Sequence, residues 1–198
     1  IDGDGKANEI LAHAAGTEWF EISPQPSGKR GLVRHAVSAR ALDYGGGVDD
    51  INGDGRPDIL RPNAWFEGPA DPRTGPWIER TWGGIALGAR DGKADHTPEI
   101  LALDVNGDGL KDVITSSAHK HGIFWYQQIR ESGGIAWKQH LVDDSWSQAH
   151  SLALADLDGD GAPEVIVGAN DNRLHVLTGE GKEKWSYETR SSIVGGVA

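Results

Sequence analysis

The stretch DVNGDGLKD, residues 104–112, returns as DINGDGRPD at 50–58 and as DLDGDGAPE at 156–164. A clipped copy, IDGDGKAN, opens the chain. With the third position of the motif as marker, Asp2, Asn52, Asn106 and Asp158 follow one another at intervals of 50, 54 and 52 residues. A period of that size, with one supersecondary unit per period, restricts the chain to a solenoid or a propeller.

The content of one period decides between them. In the third repeat, EILALD (99–104) leads into the acidic loop, and DVITSS (112–117), GIFWYQQ (122–128) and IAWKQHLVD (135–143) follow it. Each run is short, rich in β-branched or aromatic residues, and bounded by Gly, Asp, Asn or Ser, which is the pattern of strands. The fourth repeat supplies SLALAD, EVIVGA, RLHVLT and KWSYET; the second supplies DILRP, AWFEG and WIERT with a Pro-rich insertion, PADPRTGP. Four short antiparallel strands per period describe a propeller blade better than a parallel β-helix. The expected fold is all-β: a propeller with blades at 1–38, 39–95, 96–145 and 146–192, the acidic loop joining the first strand of each to the second. Residues 193–198 read as the first strand of a further blade. The chain starts inside a motif and ends on a first strand, so it reads as part of a seven- or eight-bladed ring, with further blades or domains outside it; the alternative is a four-blade ring closed by pairing its two ends.

Charge bounds the partners. The net charge is −11, which argues against nucleic acid, whose phosphates need clustered Lys and Arg. No apolar run approaches the ~18 residues of a membrane span. There is no cysteine, hence neither a disulfide framework nor a thiolate metal site. Three complete loops each holding a divalent cation would reduce the charge to about −5, a modest value for a soluble domain.

Repeated carboxylates need such a cation. Alternate positions of a tight loop point the same way, so positions 1, 3, 5 and 9 converge, with glycine where the backbone turns. The oxygen-only sets are Asp50, Asn52, Asp54 and Asp58; Asp104, Asn106, Asp108 and Asp112; and Asp156, Asp158, Asp160 and Glu164. The backbone carbonyl of position 7 (Arg56, Leu110 or Ala162) completes each. Hard oxygen donors without His or Cys favour Ca²⁺. The loop starts like an EF-hand but carries its acid at position 9 in place of position 12, in a β context. The opening copy offers Asp2, Asp4 and, at position 9, Asn8. Turn chemistry alone also favours Asp and Gly, but it does not require the same four acidic or amide positions three times over. Calcium loops of this simple kind bind at ~10⁻⁴–10⁻³ M in extracellular modules; the expected location is extracellular, periplasmic or on the cell surface.

These loops, together with endings such as VIVGAN (165–170), resemble the FG-GAP or VCBS repeats of calcium-binding β-propellers, a family that includes the integrin α-subunit head. The resemblance implies a ring most often of seven blades, with Ca²⁺ between the first two strands of a blade. The literal Phe-Gly…Gly-Ala-Pro wording survives only in fragments such as Val167-Gly168-Ala169, so integrin-like partners are not carried over. HTPEI and QAHSLALADLDGDG are similar to segments of bacterial VCBS-repeat proteins related to aldos-2-ulose dehydratase.

Chemistry other than calcium would lie before the first strands. His96 and His150 precede them in the third and fourth repeats, and Asp43 and Tyr44 stand in the corresponding region of the second. In a propeller these residues gather at one mouth of the central channel, opposite the calcium loops. They could act as base and acid or as metal ligands; the plain alternative is exposed loop residues. His119 and His121 lie between the second and third strands of the third repeat, where they could contact a metal or a ligand. His35 and His140 align on the outer strand, with Arg80 in that place in the second repeat, and read as surface. Trp19, Trp65 and Trp125 recur on the third strand and read as packing between blades. Trp82 and Trp146, nearer the loops, are sugar-stacking candidates. Two function classes follow: a calcium-stabilised module binding a glycan or a protein, or a carbohydrate-active enzyme of lyase or dehydratase type with its site at the channel mouth.

Overall fold

The computed structural model describes residues 1–13, 16–40, 44–89 and 96–193. All regular structure among them is β, and none of them forms a helix long and apolar enough to cross a membrane. The strands form four antiparallel sheets in chain order, the blades of a β-propeller. The first holds β1 (Glu9–His13), β2 (Thr17–Pro24) and β3 (Arg30–Ser38). The second holds β4 (Gly47–Asp49), β5 (Asp58–Arg61), β6 (Ala64–Glu67) and β7 (Ile78–Arg80). The third holds β8 (Ile100–Leu103), β9 (Asp112–Ser116), β10 (His121–Glu131) and β11 (Gly134–Ser147). The fourth holds β12 (Ser151–Ala155), β13 (Glu164–Gly168), β14 (Arg173–Leu177) and β15 (Glu183–Glu188). In the last three, the acidic loop joins the first strand to the second. The first blade shows only its second, third and fourth strands. The further strand read at 193–198 lies, beyond Ile193, outside the described residues.

The blades pack face to face through three apolar clusters. Trp19, Ile59, Ala64 and Phe66 fill the space between the first and second blades. Leu60, Trp65, Ile100, Val113, Phe124 and Tyr126 fill the next, and Leu103, Ile114, Ile123, Leu152, Val165 and Val167 the last. The tryptophans sit at equivalent registers. Trp19 pairs with Leu11 and His35, Trp65 with Leu60 and Arg80, and Trp125 with Ile114 and His140. The fourth blade exchanges the two positions: Val176 lies on the third strand and its partner Trp185 on the fourth.

Two expectations need correction. His35 and His140 are not simple surface residues: their rings lie flat on Trp19 and Trp125, with centroids 4.0 Å and 4.2 Å apart. Trp82 is no sugar platform, being 1 % exposed, edge-on to Trp137 and donating its indole N–H to the Arg61 carbonyl at 2.8 Å. Trp146 is half-buried and stacks on His175 at 3.8 Å. Each aromatic ring is drawn under a neighbour because burying its area is worth more than leaving it in water.

The inner strands of the second and third blades approach closely. Gly46 pairs in parallel with Glu99, and Ile100 N–H donates to the Gly46 carbonyl at 3.2 Å. A Cβ on Gly47 would stand 1.9 Å from the Ile100 carbonyl oxygen; on Gly45, which has φ of +96°, it would stand 1.3 Å from that of Thr97. Both obstacles are backbone and cannot swing aside, so Gly45 and Gly47 are packing requirements. Gly47→Ala is expected to lower unfolding free energy by roughly 1–3 kcal/mol in denaturant titration, as an overpacked core position does; an unchanged midpoint would contradict the close approach.

Candidate functional site

The two ends of the inner strands carry different chemistry. At one end lie the acidic loops, and their geometry repeats. The first carboxylate gathers loop amides: Asp104 Oδ1 accepts from Gly107 N–H at 2.8 Å and Oδ2 from Gly109 N–H at 2.8 Å. Asp50 does the same with Gly53 and Gly55, and Asp156 with Gly159 and Gly161. The third side chain accepts from the amide of the fifth residue, and the fifth from that of the seventh, in all four loops. The two glycines of every copy have positive φ, from Gly3 at 72° to Gly161 at 89°, a conformation in which a side chain would be strained.

The ninth residue roots each loop in its blade. Asp58 and Asp112 are fully buried and Glu164 nearly so. Each accepts from the amide of the loop's second residue: Ile51 to Asp58 at 3.0 Å, Val105 to Asp112 at 3.3 Å, Leu157 to Glu164 at 2.8 Å. A second oxygen reaches the third strand in two blades, taking Gly68 N–H onto Asp58 and Gln128 N–H onto Asp112. Trp125 also donates its indole N–H to Asp112 at 2.9 Å. Burial pushes the Asp58 carboxyl up to about 6 and raises that of Asp112, against these hydrogen bonds.

In the first loop this role belongs to Glu9, not Asn8. Glu9 stands two residues before Leu11, the partner of Trp19, as Asp112 stands two before Ile114, the partner of Trp125. The Ile1 backbone nitrogen lies 3.4 Å from the Glu9 carboxylate, where the Ile51 nitrogen lies 3.0 Å from that of Asp58. The opening copy is therefore one residue longer between its fifth side chain and its buried carboxylate. Carboxylate oxygens of Asp2, Asp4 and Glu9 lie within 4.8 Å of one another, as do those of Asp156, Asp158 and Glu164.

At the opposite end, Tyr44, His96, Thr97, His119 and His150 line an open cavity of about 370 Å³. Three blades contribute. The Tyr44 ring meets His96 edge-on at 4.9 Å, His96 meets His119 at 4.9 Å, and His119 meets His150 at 5.5 Å. Backbone bonds set this spacing: Ala118 N–H donates to the His96 carbonyl at 2.8 Å, and Gln148 N–H to the Lys120 carbonyl at 3.2 Å. Tyr44 is 62 % exposed and presents an aromatic ring at the opening. Asp43 lies outside the described residues. His121, two residues from His119, is exposed at the start of β10 and does not line the cavity.

Residues 104–167, from the third loop to the second strand of the fourth blade, match the family model described as the FG-GAP-like repeat. No curated protein matches the chain.

Between cavity and core, Glu99 has one carboxylate oxygen buried without a hydrogen bond. Burial raises its carboxyl above the ordinary value, opposed by the Leu152 amide. A raised folded-state value means the carboxyl costs nothing below its unfolded value, and stability is lost as pH rises through the folded one. Glu99→Gln is therefore expected to raise the melting temperature at pH 7 and leave it unchanged at pH 4. An equal shift at both pH values would show that the charge is not responsible.

Proposed function

We propose that this chain is a calcium-stabilised propeller that binds a glycan or protein ligand at the mouth where Tyr44, His96, His119 and His150 meet. The observation that carries the reading is the division of labour along the inner strands: acidic loops at one end, an aromatic and imidazole cavity at the other.

The loop residues fit a hard divalent cation. Every donor is oxygen, as Ca²⁺ prefers, and the buried carboxylates of Asp58 and Asp112 face a desolvation cost that a cation would offset. Asp104, Asn106, Asp108 and Asp112, with the Leu110 carbonyl, would hold one ion; the sets at 50–58 and 156–164 would each hold another, and Asp2, Asp4 and Glu9 a further one. Calcium supplies charge neutralisation and a tie between first and second strands. Sites of ~10⁻⁴–10⁻³ M fill where calcium is millimolar, which supports an exported protein.

Calorimetry on chelator-stripped protein is expected to show calcium binding in the submillimolar to millimolar range; no heat up to several millimolar would contradict the assignment. At ten times Kd each site adds roughly 1.4 kcal/mol, or about 3–6 °C for a chain of this size. Asp108→Ala should lose that increment in calcium and change nothing in chelator.

At the mouth, an exposed tyrosine beside polar imidazoles suits a sugar ring, which stacks on aromatic faces and hydrogen-bonds at its edge. Convergence of three imidazoles and a phenol in one cavity also favours a second reading, a carbohydrate-active enzyme of lyase or dehydratase type, because imidazole and phenol side chains serve as general acids and bases. Replacing His96 and His150 together with Ala is expected to abolish glycan binding on an array, or turnover if there is turnover, while leaving calcium-dependent melting intact. Full retention of both would remove the mouth as the site.

A further inference from the structure

The four acidic loops differ in what already balances their charge. In the fourth, Lys184 of β15 places its Nζ 2.6 Å from Asp158 Oδ2 and 2.7 Å from Glu164 Oε1. Those two carboxylates belong to the trio, with Asp156, whose carboxylate oxygens converge within 4.8 Å. The ammonium thus stands against the point a cation would take. In the second and third blades the corresponding oxygen of the buried carboxylate is held by a backbone amide, from Gly68 or Gln128. An amide cannot leave; a lysine on a four-carbon stem can.

The strand is shaped for this contact. Val176 pairs with Trp185 and Leu177 with Glu183, so Lys184 is the extra residue of a β-bulge. A bulge turns one side chain out of the alternating pattern and re-aims it. The irregularities of the other sheets fall elsewhere, at Thr17/Glu18 and between His121 and Phe124. The third loop presents the contrast. Among the described residues, no Lys, Arg or His comes within salt-bridge distance of Asp104, Asp108 or Asp112; their side-chain donors are Asn106 and Trp125. Arg56 contacts Asp54 of the second loop, and Lys6 and Arg73 contact Asp4 and Asp2 of the first. None of these three reaches the buried ninth-position carboxylate as Lys184 does.

We propose that Lys184 is a displaceable internal counter-ion that ranks the loops. The third loop takes a divalent cation directly, whereas the fourth takes one only by expelling Lys184. When calcium is scarce, Lys184 substitutes for it and ties β15 to the fourth loop, keeping the fourth blade folded. This rests on the reading of the loops as calcium sites. Its physical basis is that an ammonium and a divalent cation cannot share one carboxylate cluster without strong repulsion.

The test is a calcium titration of stripped protein with loop-specific variants. Asp4→Asn, Asp54→Asn and Asp108→Asn together silence the first three loops and isolate the fourth; Asp4→Asn, Asp54→Asn and Asp160→Asn together isolate the third. Lys184→Met keeps the stem and removes the charge. It is expected to tighten the fourth-loop Kd by about tenfold, as loss of a competing charge at contact should, to lower the melting temperature in chelator, and to leave the third loop unchanged. Should Lys184→Met fail to fold, Lys184→Arg retains a cation and is expected to keep the fourth loop weak; a tightened site would overturn the proposal. Calcium binding at the third loop with equal fourth-loop affinity in wild type and Lys184→Met would refute the role of Lys184 alone. Absence of calcium binding at every loop would overturn the loop reading, and this proposal with it.

Discussion

A buried carboxylate at the head of the second strand of each repeat organises the rest of the molecule. Asp58, Asp112, Glu164 and, by register, Glu9 each accept a hydrogen bond from the backbone nitrogen of the loop's second residue. In the middle blades the same group also holds the third strand, through Gly68 or Gln128. One side chain therefore fixes the loop and the two strands behind it. The arrangement has a cost, since a carboxylate removed from water resists ionisation. Burial carries Asp58 up to about 6. On the proposed reading, a divalent cation between this group and the outer loop carboxylates offsets that cost, and Lys184 does so in the fourth blade without one.

From that root the blade geometry follows. The second strand carries Leu60 or Ile114, the third carries the tryptophan opposite, and the fourth carries the histidine or arginine beyond it. Stacking of His35 on Trp19 and of His140 on Trp125 covers the indole faces. The inner strands then run side by side, so residues preceding them meet although they are about fifty positions apart in the chain. Tyr44, His96 and His150 reach one cavity for this reason, while the acidic loops face the other end.

Much of this was legible in the sequence because it repeats. The period gave the blade; the strand order and the recurrence of Trp19, Trp65 and Trp125 followed from counting. The grouping of Tyr44, His96 and His150 followed from the same register. What was hidden depended on contacts that no repeat announces. Glu9 was masked because the first loop is one residue longer than the others, and only strand pairing reveals the offset. His119 joins the cavity through backbone bonds of the turn after β9, which leave no periodic trace. Burial of Trp82 against Trp137 is a tertiary event, invisible to a reading that placed it beside a loop. Lys184 sits at a bulge, where the alternation that guides strand reading is broken.

The central claim is that the four acidic loops form cation sites centred on their buried carboxylates. Anomalous diffraction from crystals grown in calcium, recorded at long wavelength, tests it most directly. The account predicts difference peaks inside the loops, strongest between Asp104, Asp108 and Asp112, with oxygen ligands at 2.3–2.6 Å as calcium requires. Loops that fold with the same internal amide bonds but hold only water at those points would contradict it.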